Sequence, residues 1–128
     1  MFEVVNGKIR VHRKNTGTIY IKKKNYIFQV GDIITLTVKT FIGSTETLIK
    51  KEIKVTDPKE KIEIRFESED TDLKEGEYFY DIRIDYANGD ISTVIYPPGD
   101  QSGRYEPNFL VCGVVNNEWR KHNRNYRR

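Results

Sequence analysis

The side chains that could do chemistry in this chain are few and scattered. His12 and His122 lie near opposite ends, and neither has a carboxylate or cysteine beside it at metal-ligand spacing. The single cysteine, Cys112, sits in the apolar run Phe109-Leu110-Val111-Cys112, the setting of an inert buried thiol rather than an activated nucleophile. The acidic run Glu67-Ser68-Glu69-Asp70-Thr71-Asp72 has oxygens that calcium could use, but it lacks the alternating ligand spacing and the glycine of a calcium loop. Its acids read instead as a capped turn and solvated surface. No Gly-x-Ser-x-Gly, His-Glu-x-x-His or phosphate-cradling glycine loop occurs. These residues spell out no catalytic constellation, metal site or cofactor site, and the expectation is a protein that is not an enzyme.

The charges are more informative. Seven basic residues and no acid lie between Val4 and Gly31, among them the triplet Lys22, Lys23 and Lys24. Eleven acids face only Lys61, Arg65, Lys74 and Arg83 between Glu60 and Asp90, and Arg120, Lys121, Arg124, Arg127 and Arg128 close the sequence. Two basic ends thus flank an acidic middle behind a net charge of only +3. Such a pattern bears on association rather than on fold. The lysine triplet and the five C-terminal cations form the candidate interaction surface. They could meet phosphates, with Tyr126 stacking on a base, but no RNA-binding motif accompanies them, so a protein contact is the preferred reading over nucleic acid. If the opposite charges occupy separate faces, one copy can dock head-to-tail on another.

A chain of 128 residues is one domain with room for a real core. Hydrophobic residues make up 37% and charged residues 32%, with a mean hydropathy of −0.68, which favours a wide polar surface. No apolar run approaches membrane-spanning length, so no membrane insertion is expected. The start, Met-Phe-Glu-Val-Val-Asn-Gly, lacks the basic-then-apolar layout of a secretory signal, and one cysteine permits no internal disulfide. Synthesis in a cytosol follows as the default.

The elements that must position these residues read as strands. Asn6-Gly7 between two apolar runs predicts a hairpin over residues 2–13 with a type I′ turn. Short apolar runs predict strands at 18–22, 26–30, 34–39, 48–55, 62–66, 78–86, 91–96 and 109–115. Asp57-Pro58 and Pro97-Pro98 act as breaks, Asn88-Gly89 as a second tight hairpin, and residues 99–107 as an exposed loop. The longest alternation is in residues 78–86. Tyr78, Tyr80, Ile82, Ile84 and Tyr86 share one face and Phe79, Asp81, Arg83 and Asp85 the other, so this is the expected central strand. Before it, Ser68 is placed to cap one short helical turn near residues 68–73, Leu73 to plug one end of the core, and Gly76 to free the backbone on leaving the turn. No segment carries a convincing helical period. The fold expected is an all-β, immunoglobulin-like β-sandwich over residues 1–115, followed by a basic polar tail at 116–128.

One series is more specific. Gly31-Asp32 precedes Ile34-Thr-Leu-Thr-Val-Lys39; then come Glu69-Asp70-Thr71-x-Leu73-x-x-Gly76-x-Tyr78-x-Tyr80-Asp81-Ile82 and Asn88-Gly89-Asp90. Over about residues 8–112 this resembles the small structural proteins of phages and prophages of Gram-positive bacteria, and the N-terminal immunoglobulin-like domain of phage baseplate upper proteins. Asp70, Leu73, Gly76, Tyr78, Tyr80 and Asp81 carry the resemblance. The pattern departs at Arg13-Lys14-Asn15-Thr16, where such proteins often show Arg-Gly-Asp-Thr. Baseplate upper proteins also continue into a coiled coil or stalk, whereas thirteen residues follow Val115 here, so a stand-alone virion component is the expectation. The resemblance implies a non-enzymatic virion component of baseplate, tail, neck or head, made in the bacterial host cytoplasm. It would act by binding other virion proteins or copies of itself, without cofactor. The alternative is a carbohydrate-binding β-sandwich module for host-surface recognition, for which Tyr20, Tyr96, Tyr105 and Trp119 are the candidate exposed aromatics.

Overall fold

Nine strands organise the computed structural model, which describes residues 1–113. They are β1 (Phe2–Val5), β2 (Lys8–His12), β3 (Gly17–Lys22), β4 (Ile33–Lys39), β5 (Ile49–Lys54), β6 (Lys61–Phe66), β7 (Gly76–Asp85), β8 (Ile91–Ile95) and β9 (Phe109–Cys112). Two layers result: a seven-stranded sheet in the order β1-β2-β9-β7-β4-β5, with β8 also pairing β7, and a two-stranded sheet of β3 and β6. Pairing β3 with β6 in one layer, and β4, β7 and β8 in the other, gives the B–E and C–F–G neighbours of immunoglobulin-like sandwiches.

Period-two patterning explains the layers. Ile19 and Ile21 of β3 and Ile62, Ile64 and Phe66 of β6 point inward against Ile34, Leu36 and Val38 of β4 and Tyr80, Ile82 and Ile84 of β7, all at most 8% exposed. Ile9, Val11, Phe109 and Val111 extend the same core under β2 and β9. Each such side chain contributes about 1.5–3 kcal/mol by leaving water. The expected register of β7 holds: Tyr80 and Ile82 are buried, whereas Phe79 lies half-buried on the outer face.

β7 is the central strand, and its second edge is divided. β9 pairs its first three residues, Gly76, Glu77 and Tyr78, and β8 pairs Ile82 to Asp85. Between them the side chain of buried Asn108 takes the place of a strand. Its Oδ1 accepts from the Tyr80 N–H at 2.8 Å, and its Nδ2 donates to the Tyr80 carbonyl at 2.9 Å.

Several local expectations need correction. The type I′ turn is present, with Asn6 and Gly7 at φ 52° and 79°. The Asn88-Gly89 hairpin is wider: Gly89 N–H donates to the Tyr86 carbonyl and Tyr86 N–H to the Asp90 carbonyl, with only Gly89 of the pair at positive φ. That is a type I turn closed by a glycine bulge. Residues 26–30 are not a strand. Phe28 alone bridges Lys59, because Asp32 pulls the chain into a turn by accepting from the Gln29 N–H at 2.9 Å. Among the described residues there is no helix. Residues 68–71 form one turn, and the Ser68 hydroxyl does not cap it but donates to the Lys14 carbonyl at 2.7 Å. The last strand ends at Cys112; residues 114 and 115 and the basic tail lie outside the described residues.

Candidate functional site

The residues that carry the resemblance converge on the corner between β6 and β7. Asp70 accepts from the Glu67 N–H at 2.7 Å and pairs with the Lys51 ammonium at 2.6 Å. Leu73 packs on the core, and Gly76 opens β7 at φ 156°, which side-chain-bearing residues rarely adopt. The Tyr78 hydroxyl returns to the Lys74 carbonyl, four residues upstream, which is the tyrosine corner of sandwich folds. The Tyr80 hydroxyl donates to the Gly7 carbonyl and so ties β7 to the β1–β2 turn; burial pushes this phenol up to about 12. These five residues hold the fold. Only Asp81 faces outward, into a concavity described below.

Most of the acidic run is also consumed internally, Glu69 staying exposed. Glu67 pairs with Arg65 at 3.0 Å and Asp72 with Arg13 at 2.8 Å, while buried Thr71 donates to the Asn15 carbonyl at 2.7 Å. The run therefore buckles the β2–β3 loop onto the corner. Among the described residues no group of three or more His, Cys, Asp or Glu side chains is placed to hold a metal. The basic N-terminal block and the acidic block touch at this corner, where Arg13 meets Asp72.

The lysine triplet does not form one patch. Lys22 and Lys24 are exposed, Lys22 pairing with Lys61 across the β3–β6 ladder. Lys23 is half-buried, its ammonium 5.1 Å and 5.0 Å from the ring centres of Tyr26 and Tyr86. Arg120, Lys121, Arg124, Arg127 and Arg128, like His122, Trp119 and Tyr126, lie outside the described residues. Two separated residues do meet, since parallel pairing of β2 and β9 puts His12 beside Cys112.

Sequence reasoning missed two buried polar residues, Asn108 and Asp32. Asp32 is 1% exposed and accepts from the Tyr26 hydroxyl at 2.6 Å, the Gln29 N–H at 2.9 Å and the Ala87 N–H at 2.8 Å. Desolvation opposes its charge, but these bonds outweigh it and hold the carboxyl below its ordinary value; desolvation and the Asp32 bond push the Tyr26 phenol up to about 12. The Gly31-Asp32 pair after an apolar run was the available signal.

The outer face of β5, β4, β7 and β8 forms a concavity of about 680 Å³. Its floor is set by register: Glu52, Thr35, Arg83 and Thr93 lie in one row across four strands, Lys50, Thr37 and Asp81 in the next, and Lys39 and Phe79 in a third. Tyr96, just past the Ile82–Ile95 pair, and Tyr105, from the 99–107 loop, form a wall. They are 64% and 50% exposed, so the fold gains little from them. Burial raises the Asp81 carboxyl above its ordinary value against the pull of Lys39 and Arg83, and Arg83 bonds to Asp85 at 2.8 Å instead. Tyr20, the third exposed tyrosine, lies on β3 with the Lys61 ammonium 4.8 Å from its ring centre. The chain matches no family model, no curated protein and no solved structure.

Proposed function

We propose that this protein is a non-enzymatic structural component of a phage or prophage virion that works by assembling with copies of itself and, through them, with other virion proteins. The carrying observation is the free edge of β8. Residues 91–96, Ile-Ser-Thr-Val-Ile-Tyr, contain no charge and no proline, and among the described residues β8 pairs only with β7. Proteins ordinarily protect sheet edges with charge, brevity or cover. β5, at one end of the seven-stranded sheet, follows that rule with Lys50, Lys51, Glu52 and Lys54, and β1, at the other end, has four residues. The β8 edge does not follow it. It opens on a concavity of about 570 Å³ walled by Val5, Lys8, Val94, Ile95 and Pro98, with Ile91 62% exposed.

An uncharged strand is complementary to itself. Antiparallel addition of β8 to β8 across a two-fold axis would join the large sheets of two copies by main-chain hydrogen bonds. Sedimentation of the full chain should show a dimer whose stability changes little between about 50 mM and 500 mM salt, because screening acts on charge and not on a strand ladder. Ile91→Lys places a gatekeeper charge on the edge and should yield a folded monomer. A wild-type monomer at high concentration would overturn assembly through β8. The virion context has its own test: the chain should co-purify with particles at fixed stoichiometry through a density gradient, and its absence from particles would refute that context.

A further inference from the structure

The outer-face concavity shares Thr93 and Tyr96 with the 91–96 segment but is built differently. We infer that Tyr96 and Tyr105, with Phe79 beside them and Asp81, Thr35 and Thr37 on the floor, form a binding site for a neutral saccharide. A pyranose ring has one apolar face of C–H groups and a rim of hydroxyls. It needs an aromatic platform for the first and short polar side chains for the second. The concavity offers both, and its 680 Å³ lies within the usual range for small-ligand sites.

The wall is preorganised. Gly99 and Tyr105 form a β-bridge, and a Cβ at Gly99 would lie 3.0 Å from the Tyr105 ring, so glycine is what lets the ring lie against the backbone there. Asp100 closes the loop tip by accepting from the Ser102 N–H at 2.9 Å, the Ser102 hydroxyl at 2.6 Å and the Arg104 N–H at 3.0 Å. Glu106 N–H then donates to the Pro98 carbonyl at 2.7 Å. Such a loop pays little ordering entropy when a ligand arrives. On the floor, Asp81 is partly desolvated and no hydrogen bond from the described residues reaches its carboxylate, which leaves it free to accept from two neighbouring sugar hydroxyls.

Other ligand classes fit less well. An anion would find Lys39 and Lys50 there, but beside the carboxylates of Asp81 and Glu52, and Arg83 is committed to Asp85. A purely apolar ligand would desolvate Thr37 and Asp81 without compensation.

The test uses the isotope-labelled full chain with methyl glycosides of glucose, galactose and N-acetylglucosamine and their short oligomers, read by amide chemical shifts. At least one probe should shift Thr37, Asp81, Thr93 and Tyr105 together. Tyr96→Ala and Tyr105→Ala should each weaken it by about tenfold, the loss of one aromatic contact. Both tyrosines are exposed, so thermal midpoints should stay unchanged and exclude misfolding. Asp81→Asn should bind more weakly than wild type but better than Asp81→Leu. Ile91→Lys should bind as wild type does, which separates this site from β8 assembly. No shift at these amides with any probe up to its solubility limit, or equal binding by Tyr96→Ala, would overturn the proposal.

Discussion

The β6–β7 corner and the outer face of β7 are built from the same stretch of chain and end in opposite states. At the corner every motif side chain is satisfied internally: Asp70 by Lys51 and the Glu67 N–H, Thr71 by Asn15, Tyr78 by Lys74, Tyr80 by Gly7. On the outer face Phe79 and Asp81 alternate with those residues, yet Asp81 is partly desolvated with no hydrogen bond from the described residues, and two exposed tyrosines line the same concavity. One strand thus serves stability with its even-numbered positions and leaves Phe79 and Asp81 available, while Arg83 and Asp85 pair with each other. Residues that look most distinctive in sequence need not be those that bind.

The sharpest way to break this comparison is to truncate both faces of β7. Tyr80→Ala should destabilise by about 3–5 kcal/mol in denaturant unfolding, since it leaves a cavity and removes the tie to Gly7. Phe79→Ala should cost well under half as much. Equal losses would mean that the outer face is as structural as the core. Next in size is Asn108→Ala, which strands a buried N–H and carbonyl at Tyr80. A loss of about 2–4 kcal/mol is expected from two unsatisfied groups, with hydrogen exchange speeding up first at Tyr80.

A smaller effect tests satisfaction by charge. Because the folded state holds Asp32 below its ordinary pKa, its contribution is present above the unfolded value of about 3.9 and is lost as pH falls through the lower folded value. Thermal midpoints from pH 7 down to pH 2 should therefore show a steeper acid limb for wild type than for Asp32→Asn. The asparagine variant should be about 1.5–3 kcal/mol less stable near neutrality, the range for hydrogen bonds to a charged group. The smallest pair sharpens the contrast. Tyr78→Phe should cost about 0.5–1.5 kcal/mol through its lost corner bond, whereas Tyr96→Ala should fall within about 0.5 kcal/mol of wild type.

What was legible followed from local rules. Alternation located β4, β6 and β7 and the correct inward face of β7, and Asn6-Gly7 gave its turn outright. The strand expected at residues 26–30 failed because a single buried carboxylate, Asp32, outweighs the β-propensity of Tyr26, Ile27 and Phe28 by bonding to the backbone at Gln29. Gly31-Asp32 marks the end of the run but does not say that the carboxylate turns back to bond Gln29. Asn108 was equally hidden, since its partner Tyr80 lies 28 residues away. The concavity was half visible: Tyr96 and Tyr105 were among the candidate aromatics, but only the sheet register and the fold of the 99–107 loop bring them to the concavity that Asp81 lines, apart from Tyr20. As for the resemblance motif, the structure gives Asp70, Leu73, Gly76, Tyr78 and Tyr80 roles that a sandwich corner needs, so these residues speak first to fold.

The parallel pairing of β2 with β9 has a consequence for how the protein is made. Ile9 lies opposite Phe109 and Val11 opposite Val111, so the first hairpin joins the large sheet only through a strand translated about a hundred positions later. On the ribosome β2 has no neighbour on its second edge until Phe109 has cleared the exit tunnel. The sandwich closes as a belt does, when β9 docks beside β2. Long-range closure of this kind slows folding, and a nascent chain stalled before Asn108 should remain sensitive to protease at the β1–β2 hairpin while β4 to β7 are already protected.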